Sequence, residues 1–333
     1  ASASVGSEGS DTTGGISVGT YASVTGQHGI AIGSNSNTNG PAAVSIGHMS
    51  NAAGSNAIAI GTGSKVDADS DEHPTEGIAI GSMAHTSGFH GVALGASAES
   101  IGRFSVALGE VSIAEGNYST ALGAYSYASG LDSIAVGRNS NSSSTESIAI
   151  GRNSNSSSTG SIAIGAESKA NAEYSSAFGE YSKASGEHSM AFGYVSKASG
   201  KGALASGPWS EASGLYSIAT GYSSQALEID SIAIGRKSSA TAKWSTALGS
   251  NSTASGQQST ALGSYSIVSG KFSAALGGYD IGVDGEQSVA VGGATTKVTG
   301  NYSTALGSKS NIADANFATA LGYNSKAAHQ NSV

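Results

Sequence analysis

A four-residue phrase of the form Ile-Ala-Ile-Gly returns about every fourteen residues along the whole chain. Its glycines stand at Gly19, Gly33, Gly47 and Gly61, then from Gly81 to Gly277 in unbroken steps of fourteen, then at Gly292, Gly307 and Gly322 in steps of fifteen. That makes 22 copies, with a degenerate start at Gly6. The residue before the glycine is Val, Ile, Leu or Phe in 20 copies, with Ser206 and Thr220 the exceptions. Two before it stands Ala, replaced only by Ser17 and Ser45. Three before it stands mostly Ile or Val, with Thr120, Thr246, Thr260, Thr304 and Thr319 among the departures. Alternation of this kind predicts a β-strand. One face carries large apolar groups and the other admits little beyond a methyl, so both faces are expected to be buried.

The second half of each copy places Ser three after the glycine, often Ala five after and Gly seven after, as in Ser196-Lys-Ala-Ser-Gly200. Small residues there alternate with Lys, Tyr, Asn and Glu, which predicts a second strand with a tight inner face and a wet outer one. Glycines at the two corners permit the positive φ of sharp turns. Each copy therefore reads as two strands of about five residues and two turns of about two. A fixed short period means a solenoid, not a globular core with a catalytic cleft. Each coil climbs one strand spacing, ~4.8 Å, for a rod roughly 100 Å long.

Such a coil has a thin interior. The methyl face of the first strand is expected to stay open as an apolar stripe, and stripes of that size mark interfaces. The rod is therefore expected to be obligately oligomeric, with Ala121, Ala135, Ala149 and Ala163 packed against neighbouring chains. Solenoids of this kind do not end by themselves, so flanking domains are expected beyond both termini. Ala1 opens no recognisable signal peptide, and Asn331-Ser-Val333 reads as the start of a further coil.

Composition changes this picture little. Only 11% of the 333 residues are charged, and the net charge of −8 is spread thinly, with no basic stripe visible along the chain. That argues against nucleic acid as a partner. There is no cysteine, hence no disulfide framework and no thiolate metal site. No segment approaches the ~18 apolar residues of a membrane-spanning helix. The glycine-rich stretches lack a P-loop lysine or a dinucleotide fingerprint, and no motif places a Ser-His-Asp constellation. No enzyme activity, cofactor or metal is expected.

Breaks in the pattern carry the candidate chemistry. Gly61 and Gly81 are 20 residues apart, and the excess is assigned to an acidic loop over residues 64–76. Asp67, Asp69 and Asp71 alternate as at the start of an EF-hand loop, but the glycine and closing glutamate are missing at that spacing. A solvated loop is the plain reading; a ligand contact through Asp67, Asp69, Asp71 and Glu72 is the sharper one. Arg138 to Thr145 recurs verbatim as Arg152 to Thr159, which suits an adjustable spacer or display rod. Aromatics recur five before the glycine (Phe104, Tyr118, Tyr174, Trp244 among them, with His28, His90 and His188) and two after it (Tyr21, Tyr125, Tyr181, Trp209, Tyr265, Tyr279). They read either as covers for chain seams and corner backbone or as a ligand-binding ladder, with Tyr125, Tyr181, Trp209 and Tyr265 the candidates.

The phrase Ser119-Thr-Ala-Leu-Gly-Ala-Tyr-Ser-Tyr-Ala-Ser-Gly130, recurring over nearly the whole chain, closely resembles the YadA-like head repeat of trimeric autotransporter adhesins. The resemblance implies an all-β, left-handed parallel β-roll and a parallel homotrimer. It also implies display at the outer membrane of a Gram-negative bacterium, and adhesion to host extracellular matrix, host cell receptors or glycans, or other bacteria, as in biofilm and virulence. Residues 1–333 would be a single head domain. The family's neck signature, coiled-coil stalk and membrane anchor are not found in the sequence, so any membrane tie would lie elsewhere. A phage or tail-fibre shaft, or a purely structural spacer, is the competing reading. Left-handed acyltransferase helices are built on hexads, into which fourteen does not factor. An ice-binding solenoid would need a regular threonine array that is missing here.

Overall fold

The computed structural model describes residues 3–5, 14–68 and 76–333. It is an all-β parallel solenoid with no helix among the described residues, and it divides into two compact units, Ala1–Glu167 and Ser168–Val333. In most coils a three-residue strand ends just before the motif glycine, as in Thr120–Leu122, and a two-residue strand follows after a turn, as in Tyr127–Ala128. The strands are shorter than the sequence suggests because the turns take more of each copy. Within each unit the coil strands pair in parallel with their equivalents one coil on, in most coils alanine opposite alanine: Ala107 with Ala121, Ala121 with Ala135. In the first unit the three-residue ladder runs from Ile16–Val18 to Ile162–Ile164, and in the second from Ser176–Phe178 to Thr319–Leu321. One antiparallel strand, Ala3–Val5, lies on Ile16–Val18.

The facing of the first strand reverses the sequence-based expectation. Ala121, Ala135, Ala149 and Ala163 are 0% exposed within a single chain, enclosed by their own coils. The large aliphatics beside them turn outward: Leu122 is 39% and Ile150 36% exposed. The apolar stripe therefore exists, but it consists of Ile, Val and Leu, and the methyl column is the core. The physical reason is room. Two strands only three and two residues long, closed by tight turns, face each other across a space that takes methyls and hydroxymethyls. A leucine has nowhere to go but out. Larger side chains enter only at particular coils: Thr38, Val66 and Thr86 in the first unit, and Val268, Ile281, Val283, Thr296, Val298 and Ile312 towards the end of the second. Ile281, Val283 and Val298 fall in the longer, fifteen-residue coils, and there the first strand also lengthens, to Ala274–Tyr279 and Val289–Ala294. For the same reason Ser206 and Thr220, which look from sequence like buried hydroxyls, sit half-exposed on the outer face and need no buried partner.

Buried serines complete the interior. Ser126 Oγ donates to the Gly123 carbonyl at 2.8 Å and Ser105 Oγ to the Gly102 carbonyl at 2.7 Å, the same three-residue reach at both corners. A buried hydroxyl generally needs a bond, and at these positions it caps a turn carbonyl, while the equivalent Ser119 and Ser133 hydroxyls are buried without a partner. The two corner glycines are needed for different reasons. Gly123 has φ +132°, and a Cβ on it would lie 2.7 Å from the Gly137 carbonyl oxygen. Gly116 has no such φ, but a Cβ there would come within 2.0 Å of the Gly130 oxygen on the next coil. The left-handed turn residues themselves are Tyr118 (φ 57°) and Tyr125 (φ 58°), not glycine.

The insertion does not break the stack. Ala59 pairs with Ala79, and Lys65–Val66 pairs with His85–Thr86. Ser64 is buried and Lys65–Val66 is a regular second strand, so the loop starts after them, later than the boundary at 64 drawn from sequence.

Candidate binding surface

Each coil presents three outer surfaces: the aliphatic face of the first strand, the polar face of the second, and the two corners. The corners carry the aromatics. At both, the amide of the left-handed residue bonds to the preceding coil: Tyr118 N–H to the Arg103 carbonyl at 2.8 Å, Tyr125 N–H to the Glu110 carbonyl at 2.9 Å. This coil-to-coil bond holds almost any side chain in a conformation that otherwise costs about 1–2 kcal/mol.

The column five before the glycine stacks flat at coil spacing. His90 and Phe104 lie 5.3 Å apart, Phe104 and Tyr118 5.3 Å, Tyr174 and His188 5.3 Å, and Tyr302 and Phe317 4.9 Å. The Phe and Tyr rings of this column cover one another's faces and remain 43–56% exposed. The other corner is different. Tyr181, Tyr194, Trp209 and Tyr222 form one continuous run with centroids 6.2, 5.1 and 5.2 Å apart, set edge to face. Tyr181 and Trp209 were candidates from sequence. Tyr194 and Tyr222 lie one residue off that phase, one after the glycine, and a search of a single column misses them. Tyr265 pairs with Tyr279 at 5.1 Å, and Tyr125 belongs to the first unit, apart from this run.

Next along the coil, the second strand turns out a lysine ladder. Lys169 lies opposite Lys183, and Lys183 opposite Lys197. Lys197 Nζ bonds Glu211 on the following coil at 2.7 Å. That bond holds the Glu211 carboxyl below its usual range, against a smaller opposing push from burial. The ladder was invisible as a stripe in sequence because its members stand fourteen residues apart. Further along the same column Gly282 leaves a gap between Ile267 and Lys297, a cleft of about 240 Å³ lined also by Asp280, Asp284 and Thr295. Asp284 accepts a bond from Ser269 Oγ at 2.7 Å.

At the insertion, both feet are tied to neighbouring coils. Asp67 receives Lys65 Nζ at 2.7 Å and His85 Nε2 at 2.8 Å. Burial pushes the Asp67 carboxyl up, but the bonds and charges of Lys65 and His85 outweigh it and leave it lowered. Glu76 accepts Asn56 Nδ2 at 3.2 Å and lies 3.6 Å from His90 Nδ1. Asp67 is thus engaged by Lys65 and His85 at the loop's base; Asp69, Asp71 and Glu72 lie outside the described residues. No cluster of three His, Asp or Glu residues suited to a metal ion occurs among the described residues.

Comparison with known proteins agrees with this architecture. A search of curated proteins found no match. Among solved structures, the collagen-binding domain of the Yersinia adhesin YadA matches at 25% identity over 51% of this chain and 69% of that one. Its TM-score of 0.23 is too low for that likeness to carry a structural argument. The repeat family described as YadA head domain repeat matches in consecutive segments from 13–36 to 313–333, skipping residues 65–74 at the insertion. Stacked fourteen-residue coils with a methyl core and matches over nearly the whole length place the chain in one family: it belongs to the YadA head domain repeats.

Proposed function

We propose that this chain is the head of a bacterial cell-surface adhesin, attaching to host matrix proteins, host cell receptors or glycans, or other bacteria. A structural and adhesive role, not a catalytic one, suits a surface that repeats every coil. The family supports this reading, and one observation on the molecule carries it: the division of the outer surface. One strand exposes two columns made mostly of Ile, Val, Leu and Phe, while the other strand and its corners are polar and aromatic. Apolar columns of that extent call for a partner. Three copies side by side through these columns would cover them and leave the polar strands and aromatic corners facing outward for ligands. The collagen-binding title of the YadA structure makes matrix protein the first ligand to try.

The test is a pair of measurements on the purified chain. Sedimentation should show a folded trimer, and the trimer should bind immobilised matrix proteins or whole cells in a saturable way. A stable folded monomer would remove the assembly. A trimer that binds no matrix protein, cell or bacterial surface would favour the spacer or fibre-shaft reading.

A further inference from the structure

The aromatic run and the lysine ladder occupy the same coils. Tyr181 precedes Lys183 by two residues, and Tyr194 precedes Lys197 by three. All four rings are 42–48% exposed. Lys169, Lys183 and Lys197 are exposed as well, and Arg236 and Lys237 continue the basic character at the corner beyond Tyr222. Glu180 and Glu211 lie on this surface, with Glu211 engaged by Lys197, and Glu167, two residues before Lys169, accepts a bond from Asn153 Nδ2. Lys169 and Lys183 have no ion-pair partner among the described residues. Like charges directly opposite on adjacent strands destabilise a sheet. Glu211 offsets this cost at Lys197 alone, and at Lys169 and Lys183 an anionic ligand would relieve it.

We propose that Tyr181–Tyr194–Trp209–Tyr222 and Lys169–Lys183–Lys197 form a linear track for an acidic polysaccharide, with rings stacking on sugar faces and lysines meeting its carboxylates or sulfates. The inference rests on the adhesin reading for one point, that this face stays open when the aliphatic face is covered. The rings follow the coil axis in single file, at a spacing comparable to the rise of one sugar unit. Of their corner neighbours Glu180, Val195, Pro208 and Ser223, two are polar and Val195 stands alone as an exposed aliphatic, which is no broad apolar patch of the kind that centres a protein hot spot. Aromatic rings with a polar edge suit a ligand that is apolar on one side and wet on the other.

Substitutions already used by other coils at the same positions keep the fold. Asn139 and Asn153 occupy the Trp209 position at φ 55°, Ser34 and Ser82 the Tyr194 position, and Asn141 and Asn155 the position of Lys169 and Lys183. The experiment is calorimetric titration of the full chain with heparin (sulfated), hyaluronan (carboxylated) and dextran (neutral), comparing wild type with Tyr194→Ser/Trp209→Asn and Lys169→Asn/Lys183→Asn. Wild type should bind at least one acidic polymer and not dextran. Each double variant should weaken that binding at least tenfold, and the lysine variant alone should flatten its salt dependence. Heparin against hyaluronan separates sulfate from carboxylate as the anionic group. Failure of folded wild type to bind either acidic polymer, or equal binding by wild type and variants, overturns the track. Immobilised matrix protein is assayed in parallel. Matrix binding without polysaccharide binding overturns this proposal and leaves the adhesin reading intact, whereas loss of all adhesion defeats that reading too.

Discussion

At the scale of single residues, the decisive quantity is side-chain volume inside a coil two strands thick. Ala121 is fully enclosed, so Ala121→Leu should overpack the interior and lower stability by about 1–3 kcal/mol, read from the denaturant midpoint. Its neighbour Leu122 faces out; Leu122→Ser should leave coil secondary structure intact and weaken association, visible as a shift in the sedimentation profile with concentration. If Ala121→Leu were neutral and Leu122→Ser unfolded the chain, the observed facing would be wrong. Charge at this scale acts at the loop feet and along the ladder. Asp67 and Glu211 both have lowered carboxyl pKa values in the fold. A lowered folded pKa stabilises above the ordinary carboxylate range, and that contribution is lost as pH falls through the folded value. Melting should therefore change little from neutral pH to about pH 5 and decline below about pH 4. Asp67→Asn should remove part of the decline, as followed by circular dichroism.

At the scale of the coil, the motif glycine and the serine three residues later act as one unit. Gly123 combines a positive φ with a close approach to the next coil's carbonyl. Gly123→Ala should cost about 1–3 kcal/mol or more, since both the strain and the contact must be met. The insertion belongs to this scale too. Because Lys65–Val66 stays in the ladder and pairing resumes at Ile78–Ile80, excising residues 69–74 restores the fourteen-residue period without touching a strand. The expected melting temperature is within a few degrees of wild type. A large loss would show that the insertion contributes packing to the coils beside it. Excision reaching back to Lys65 would instead delete a strand and should destabilise strongly.

At the scale of the molecule, the two outer faces differ in chemistry. One aliphatic column is interrupted at Ser206 and Thr220, directly after a stacked pair, Phe178 and Phe192 at 5.0 Å. If copies associate through these columns, Ile134→Ser with Ile148→Ser should favour dissociation or aggregation over the trimer, measured by light scattering after size exclusion. The polar face should respond differently: substitutions at Lys169, Lys183 or Trp209 should leave assembly unchanged and act on ligand capture.

The fourteen-residue period, read with the Ala and Gly positions, was enough to define a parallel solenoid, its number of coils, the placement of its glycines and its family. Each copy is a local unit whose strands and turns repeat, and periodicity in one dimension becomes stacking in three with little ambiguity. Which face of the first strand points inward was beyond the pattern, because alternation is the same whichever side is buried. Only the distance between the two strands of a coil decides it, and that distance excludes Leu and admits Ala. The candidate site was legible in the same uneven way. Tyr181 and Trp209 stand at one phase and could be found, whereas Tyr194 and Tyr222 join them only because neighbouring corner positions converge when coils stack. The lysine ladder, diluted to one residue in fourteen along the chain, becomes a continuous row when the solenoid brings those residues one strand spacing apart.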